Sequence, residues 1–327
     1  MLVRSIETRH NAPFLPDPAF REDVIAGLSQ RRRAIPARWF YDLRGSRIFE
    51  RITALPEYYP TRTEREILAN AVNAIATLTG PRRAVVEFGS GSSAKTPMLL
   101  SAIEPSAYVP IDISGEFLHA SAALIRSAFP TLPVHEVEGD FTRPLKLPGS
   151  IDGLPRLGFF PGSTIGNMLV PAAVDLLRGM AGILGSDSML LIGIDRTKDS
   201  STLLAAYDDA EGVTADFNLN LLRRINRELL GSIPVDAFRH RVRWNEDESR
   251  IEMHLEATRD VEFIIDGEIF AMSLGETIHT ENSLKYGVRE ARLLLRAGGW
   301  TPVGEWTDAR EYFSLILAKL TSPSPAP

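Results

Sequence analysis

Apolar and polar positions change rhythm twice along the chain. Between about residues 64 and 195, short apolar runs alternate with amphipathic stretches. The runs 84–88, 107–111, 133–137, 157–160 and 188–194 read as buried strands, and 94–102, 115–128 and 171–184 as the helices between them. Strands apolar throughout and separated by helices predict a parallel sheet covered on both faces. Ahead of this block, 20–33 reads as a helix with Ile25 and Leu28 on one face, and Thr61 or Thr63 is expected to cap the helix carrying Glu64 and Glu66. Beyond Asp195 the pattern predicts one or two helices over 202–226, antiparallel strands over 244–255 and 261–272, a helix over 283–297, and a closing pair of strands over 300–306 and 312–320.

The block of about 90 residues between the fifth strand and the closing pair is too structured for a loop. It is expected to join the aromatic, proline-framed segments around Trp39-Phe40-Tyr41 and Tyr58-Tyr59 in a second, discontinuous domain. The division that follows is 1–63 with 197–287 for the substrate, and 64–196 with 288–321 for the nucleotide-binding sheet. An extended arm is expected up to about residue 20, and a disordered tail at 322–327 from its Ser-Pro composition.

Composition narrows the chemistry. A net charge of -6 argues against general nucleic-acid binding, which needs a basic face. The chain has no cysteine, so thiolate zinc sites, disulfides and a cysteine nucleophile are excluded. The six histidines are scattered without metal-ligand spacing, and no bound metal is expected. No apolar run reaches the roughly 18 residues of a membrane span, and no signal-peptide pattern opens the sequence. A cytoplasmic monomer acting on a small molecule is expected.

Candidate chemistry gathers where strands end. Val85-Val86-Glu87-Phe88 runs into Gly89-Ser90-Gly91, a turn whose glycines admit a ligand to the backbone. This suits a dinucleotide or S-adenosylmethionine alike, and so does Asp112 after the second strand, facing a ribose or capping the next helix. Asp140 and Phe141 follow the third strand, as an adenine contact or as a turn and a core aromatic. Ser163, Thr164 and Asn167 follow the fourth. The antiparallel end of the pattern tilts the choice from a dehydrogenase toward a class I (Rossmann-like) α/β methyltransferase that uses S-adenosylmethionine.

Longer motifs resemble one family. Arg38-Trp39-Phe40-Tyr41-Asp42, Leu55-Pro56-Glu57-Tyr58-Tyr59-Pro60-Thr61-Arg62, Glu87 to Thr96, Gly139-Asp140-Phe141, Pro161 to Asn167, Ala206-Tyr207-Asp208-Asp209, Ile251 to Leu255 and Thr280 to Tyr286 are similar to the histidine-specific N,α-methyltransferases of ergothioneine biosynthesis. The resemblance spans about 25–320. It implies a class I fold with a second domain, and trimethylation of the α-amine of L-histidine to hercynine. It implies that Gly89, Lys95, Asp112, Asp140 and Phe141 hold S-adenosylmethionine. Tyr58, Asn167, Tyr207, Met253, Glu281, Asn282 and Ser283 would hold histidine, with Tyr41, Asn167 and Glu281 as the catalytic set. Asn282 stands where the family has a small apolar residue, and His279 where a basic Arg is expected.

The residue chemistry is compatible with these roles. Asn167 with Tyr58 or Tyr207 offers donors to an amino-acid carboxylate, and Glu281 and Ser283 match the two nitrogens of an imidazole. Met253 reads either as a pocket thioether or as a core filler. His254, one residue on, is expected on the opposite face as a structural histidine. The same fold acting on another amine, or a non-catalytic amino-acid-binding module, are the competing readings.

Overall fold

The computed structural model describes residues 17–321; the expected tail and most of the expected arm lie outside them. Three helices open the described chain: α1 (Pro18–Leu28), α2 (Leu43–Thr53) and the longer α3 (Tyr59–Thr79). α1 is capped by Asp17 and α2 by Asp42, whose carboxylates accept from Ala19 N and Gly45 N. α3 begins at Tyr59, earlier than expected, with Pro60 in its first turn, and so turns Glu64 into the core instead of leaving it at an exposed cap.

The alternating block follows as β1 (Ala84–Phe88), α4 (Thr96–Ile103), β2 (Ala107–Asp112), α5 (Gly115–Ala128), β3 (Val137–Glu138), β4 (Arg156–Phe160), α6 (Val170–Leu184) and β5 (Met189–Asp195). Then come α7 (Ser200–Tyr207), α8 (Val213–Glu228), β6 (Phe238–Asn245), β7 (Arg250–Ala257), β8 (Val261–Ile265), β9 (Glu268–Met272), β10 (Thr277–Leu284), α9 (Val288–Ala297), β11 (Trp300–Thr307) and β12 (Phe313–Leu320). The main sheet has seven strands in the order β11-β12-β5-β4-β1-β2-β3. β1 to β5 are parallel, and β12 enters antiparallel between β5 and β11. This is the class I methyltransferase arrangement. The strand order reverses at β1 and β4, so a crevice opens beyond their carboxyl ends.

β10, β7 and β6 form a second, antiparallel sheet, with β8 and β9 as a separate hairpin. One apolar core joins Phe20, Phe40, Tyr58, Phe217, Met253 and Ile278, drawn from the N-terminal segment and the inserted block; two others cover the faces of the main sheet. The inserted block starts and finishes side by side. Tyr286 N donates to Asp195 O at 3.0 Å and Thr197 N to Tyr286 O at 3.2 Å.

Three expectations are corrected here. The strand expected over 244–255 is instead two, with the β6–β7 turn inside it. The run 261–272 is likewise a hairpin, turning at Asp266 and Gly267, both with positive φ (47° and 84°), a common Asp-Gly hairpin turn. The helix expected over 283–297 starts only at Val288, because 277–284 pair with β7 as a strand. A register shift between His279 and Glu281 interrupts the alternation that marks a strand. Among the described residues no helix is long and apolar enough to cross a membrane.

Candidate active site

The turn after β1 holds its shape by backbone bonds. Gly89 and Gly91 have φ of 71° and 50°, values that L side chains rarely adopt. Gly89 N and Ser90 N both donate to Ile111 O, at 2.9 and 3.0 Å. The Asp112 carboxylate accepts from Gly91 N at 2.9 Å and Ser114 N at 3.0 Å, and burial still pushes its pKa above the usual value. A Cβ at Gly89 would touch the Phe141 ring at 3.4 Å. The Ser90 hydroxyl is buried without a partner among the described residues.

Asp140 accepts from Thr142 N at 2.9 Å and from Arg38 Nη1 at 3.2 Å. A cavity of about 450 Å³ beside it is lined by Arg38, Trp39, Ile113, Gly139 and Asp140, so the segment after α1 forms one wall. A bare backbone turn, a carboxylate one strand away and a flat ring over the glycine fit the adenosyl part of S-adenosylmethionine. Lys95 is bound into an ion pair with the buried Glu64, which also accepts from Gly162 N at 3.0 Å. This pair ties the glycine turn to α3 and to the loop after β4.

A second group of side chains faces this crevice. Tyr41, Phe49, Tyr58 and Tyr207 make a chain of edge contacts with centroid separations of 5.7, 6.2 and 6.3 Å. Asn167 sits on the 3₁₀ turn Thr164–Asn167, which packs on the end of β10; a Cβ at Gly166 would lie 2.7 Å from Leu284 O. That contact brings the Asn167 side chain near enough to Glu281 to draw the pKa of its carboxyl down. Burial pushes the Glu281 carboxyl up to about 7, against the pull of Lys285 and of Asn167. Burial also drives the Tyr41 hydroxyl well above its ordinary pKa, and Glu281, Tyr58, Asp112 and Tyr207 act in the same direction. Tyr41 is thus within electrostatic reach of carboxylates from both groups.

Tyr207 OH and Ser283 Oγ are 2.6 Å apart. Met253 lies across from Glu281 in the β7–β10 register and is 1 % exposed, packed within the core shared by the N-terminal segment and the inserted block. Asn282 does not join the group. Successive strand residues face opposite ways, so Asn282 pairs with Glu252 on the far face, beside His279. His254 is on that far face as well, stacked on His279 with centroids 4.7 Å apart. Glu252, His254 and His279 bring possible ligand atoms within 4.8 Å of one another, a grouping that spacing along the chain does not disclose. The Arg250 guanidinium already pairs with Glu252 at 2.7 Å.

Sequence reasoning assigned no role to the charged groups beneath Tyr207. Asp195, at the end of β5, accepts from Tyr59 OH at 2.7 Å and pairs with Lys198 and with Lys285. Tyr59 follows Tyr58 and Lys285 lies two residues beyond Ser283, but only the fold brings them to Asp195.

A family described as histidine-specific, S-adenosylmethionine-dependent methyltransferases matches residues 20–320. The histidine N-alpha-methyltransferase of Mycolicibacterium smegmatis is 40% identical over 309 residues, covering 92% of this chain and 94% of that protein. Its counterpart in Mycobacterium tuberculosis is 40% identical over 307 residues, with the same two coverages of 92% and 94%. Ergothioneine biosynthesis protein 1 of Neurospora crassa is 32% identical over 298 residues, which are 88% of this chain and 33% of that longer protein. With a class I sheet and a match over nearly its full described length, the chain belongs to the histidine-specific, S-adenosylmethionine-dependent methyltransferase family.

Proposed function

We propose that the protein methylates the α-amine of L-histidine three times, yielding hercynine for ergothioneine biosynthesis. Gly89, Lys95, Asp112, Asp140 and Phe141 would hold the methyl donor, and 1–63 with 197–287 would form the substrate domain over the sheet domain of 64–196 and 288–321. The observation that carries this reading is the match to the histidine-specific family over residues 20–320, at 40% identity to the two mycobacterial enzymes.

S-adenosylmethionine, when bound, supplies an electrophilic methyl group on its sulfonium. The side chains contribute position and solvation. Asn167 and Tyr58 donate to the substrate carboxylate. Glu281 accepts from one ring N–H, and Ser283 serves the other nitrogen. The wall of Tyr41, Phe49 and Tyr58 excludes water around the amine, which favours its neutral, nucleophilic form. The same rings stabilise the quaternary ammonium by cation–π contact as methyl groups accumulate. Holding the amine in line supplies most of the rate, so no acid–base dyad is needed.

Incubation with S-adenosylmethionine and L-histidine, followed by mass spectrometry, tests the proposal. Trimethylhistidine is the expected end product. Absence of any methylated histidine, together with no histidine binding in the presence of S-adenosylhomocysteine, overturns it.

A further inference from the structure

Lys285 has no exposed side-chain surface and meets three oxygens. Its Nζ donates to Asp195 Oδ2 at 2.7 Å, Ser283 Oγ at 2.7 Å and Tyr207 OH at 3.0 Å. An ammonium has three protons and no acceptor, so these contacts use it fully. Asp195 can hold this charge. Burial disfavours its ionisation, but Lys285 and Lys198 outweigh burial and keep its pKa below the ordinary value.

The proton count of the hydroxyl pair follows. Tyr207 OH and Ser283 Oγ carry one proton each and lie 2.6 Å apart. One proton fills the bond between them. The other cannot turn to Lys285, which accepts nothing, and no protein acceptor takes it among the described residues, so it is left for the proposed substrate. We propose that Lys285 is a positioning residue that makes the Tyr207–Ser283 pair a donor into the substrate pocket, so that the substrate must present an acceptor there.

This rests on the histidine reading above. It deepens that reading by selecting a form of the substrate. Glu281 on the same strand requires a ring N–H, and the hydroxyl pair requires an unprotonated ring nitrogen. The two together admit a neutral imidazole in one tautomer. A ring without the acceptor nitrogen leaves a buried donor unpaired, which is costly. Without Lys285, the surplus proton can turn to Asp195 instead, and the discrimination lapses.

The test compares L-histidine with 2-pyrrolylalanine, whose five-membered ring keeps one N–H and lacks the acceptor. Binding of both is measured by calorimetry with S-adenosylhomocysteine present, in the unaltered enzyme and in Lys285→Met. The unaltered enzyme should prefer histidine by at least about tenfold. Lys285→Met should lose roughly tenfold or more in histidine affinity, keep S-adenosylhomocysteine affinity within about twofold, and narrow the preference over the pyrrole toward unity. Introducing Lys285→Cys gives the only thiol in the chain, and aminoethylating it during refolding should restore the preference. A preference already near unity in the unaltered enzyme overturns the assignment even if no variant folds. So does a preference unchanged by Lys285→Met, or an equal loss of histidine and S-adenosylhomocysteine. If the unaltered enzyme methylates histidine, those results remove the Lys285 assignment alone; if it neither methylates nor binds histidine, the histidine reading falls and takes this one with it.

Discussion

Gly166 packs on the backbone of Leu284 with no room for a side chain: a Cβ there would stand 2.7 Å from the Leu284 carbonyl oxygen and 3.3 Å from its nitrogen. The contact joins the loop after β4 to the strand that carries Glu281. Gly166→Ala should push the two apart and move Asn167 away from Glu281. The expected cost is about 1–3 kcal/mol of stability, with histidine affinity down roughly tenfold and S-adenosylhomocysteine affinity retained. Calorimetry with each ligand checks this; unchanged histidine affinity would show that the loop's position is not critical.

Asp112 holds the glycine turn after β1 from inside, through Gly91 N and Ser114 N. Asp112→Ala leaves both donors without that acceptor and removes the proposed ribose partner. S-adenosylhomocysteine affinity should fall about 10–100-fold, as expected for losing charge-assisted hydrogen bonds. Histidine affinity, measured with the nucleotide saturating, should change little. A variant that binds S-adenosylhomocysteine normally would refute the ribose role.

The proposed nucleotide half of the site is more legible in the sequence than the proposed substrate half. Gly89, Asp112 and Asp140 all follow parallel strands, and in such sheets ligands bind at strand carboxyl ends. Apolar runs locate those ends well. β10 was hidden for a local reason: the shift at Thr280 breaks its alternation, and 283–297 then looks like one amphipathic helix. Tyr58, Tyr207 and Glu281 were reachable only through resemblance, since no short-range pattern links three distant aromatic and acidic positions. The pairing of Lys285 with Asp195 depends on the two ends of the inserted block meeting, which no window of sequence contains.

Glu281 should cost the fold stability that it returns as binding. Its pKa is raised to about 7 in the folded chain, against about 4.3 when unfolded. As pH rises through that interval the unfolded chain releases its proton first, so stability declines, and the loss is complete above about pH 7. Glu281→Gln removes this penalty. The variant should gain roughly 3–4 kcal/mol at pH 8 relative to its difference from the unaltered enzyme at pH 4, while binding histidine more weakly. Urea unfolding at both pH values measures the first effect and calorimetry the second. A variant that gains nothing at pH 8 would contradict the buried-carboxyl account.

His254 gives the opposite dependence. Burial, then the stacked His279 and Arg243, hold its pKa down to about 4, although Glu252 draws it up. In the unfolded chain it titrates near 6.5. Between those values the unfolded chain binds a proton that the folded chain refuses, so stability falls as pH drops from about 6.5 toward 4. His254→Gln lacks this group. Its stability should decline less over that interval, by on the order of 2–3 kcal/mol, with a residual slope from His279, whose pKa burial also lowers. Urea unfolding at pH 7 and pH 4.5 separates the two proteins. Parallel declines would mean that His254 is protonated in the fold, and that the Glu252 carboxylate, pulled to about 2 by Asn245, Arg250 and His254 in spite of its burial, stabilises the charged ring.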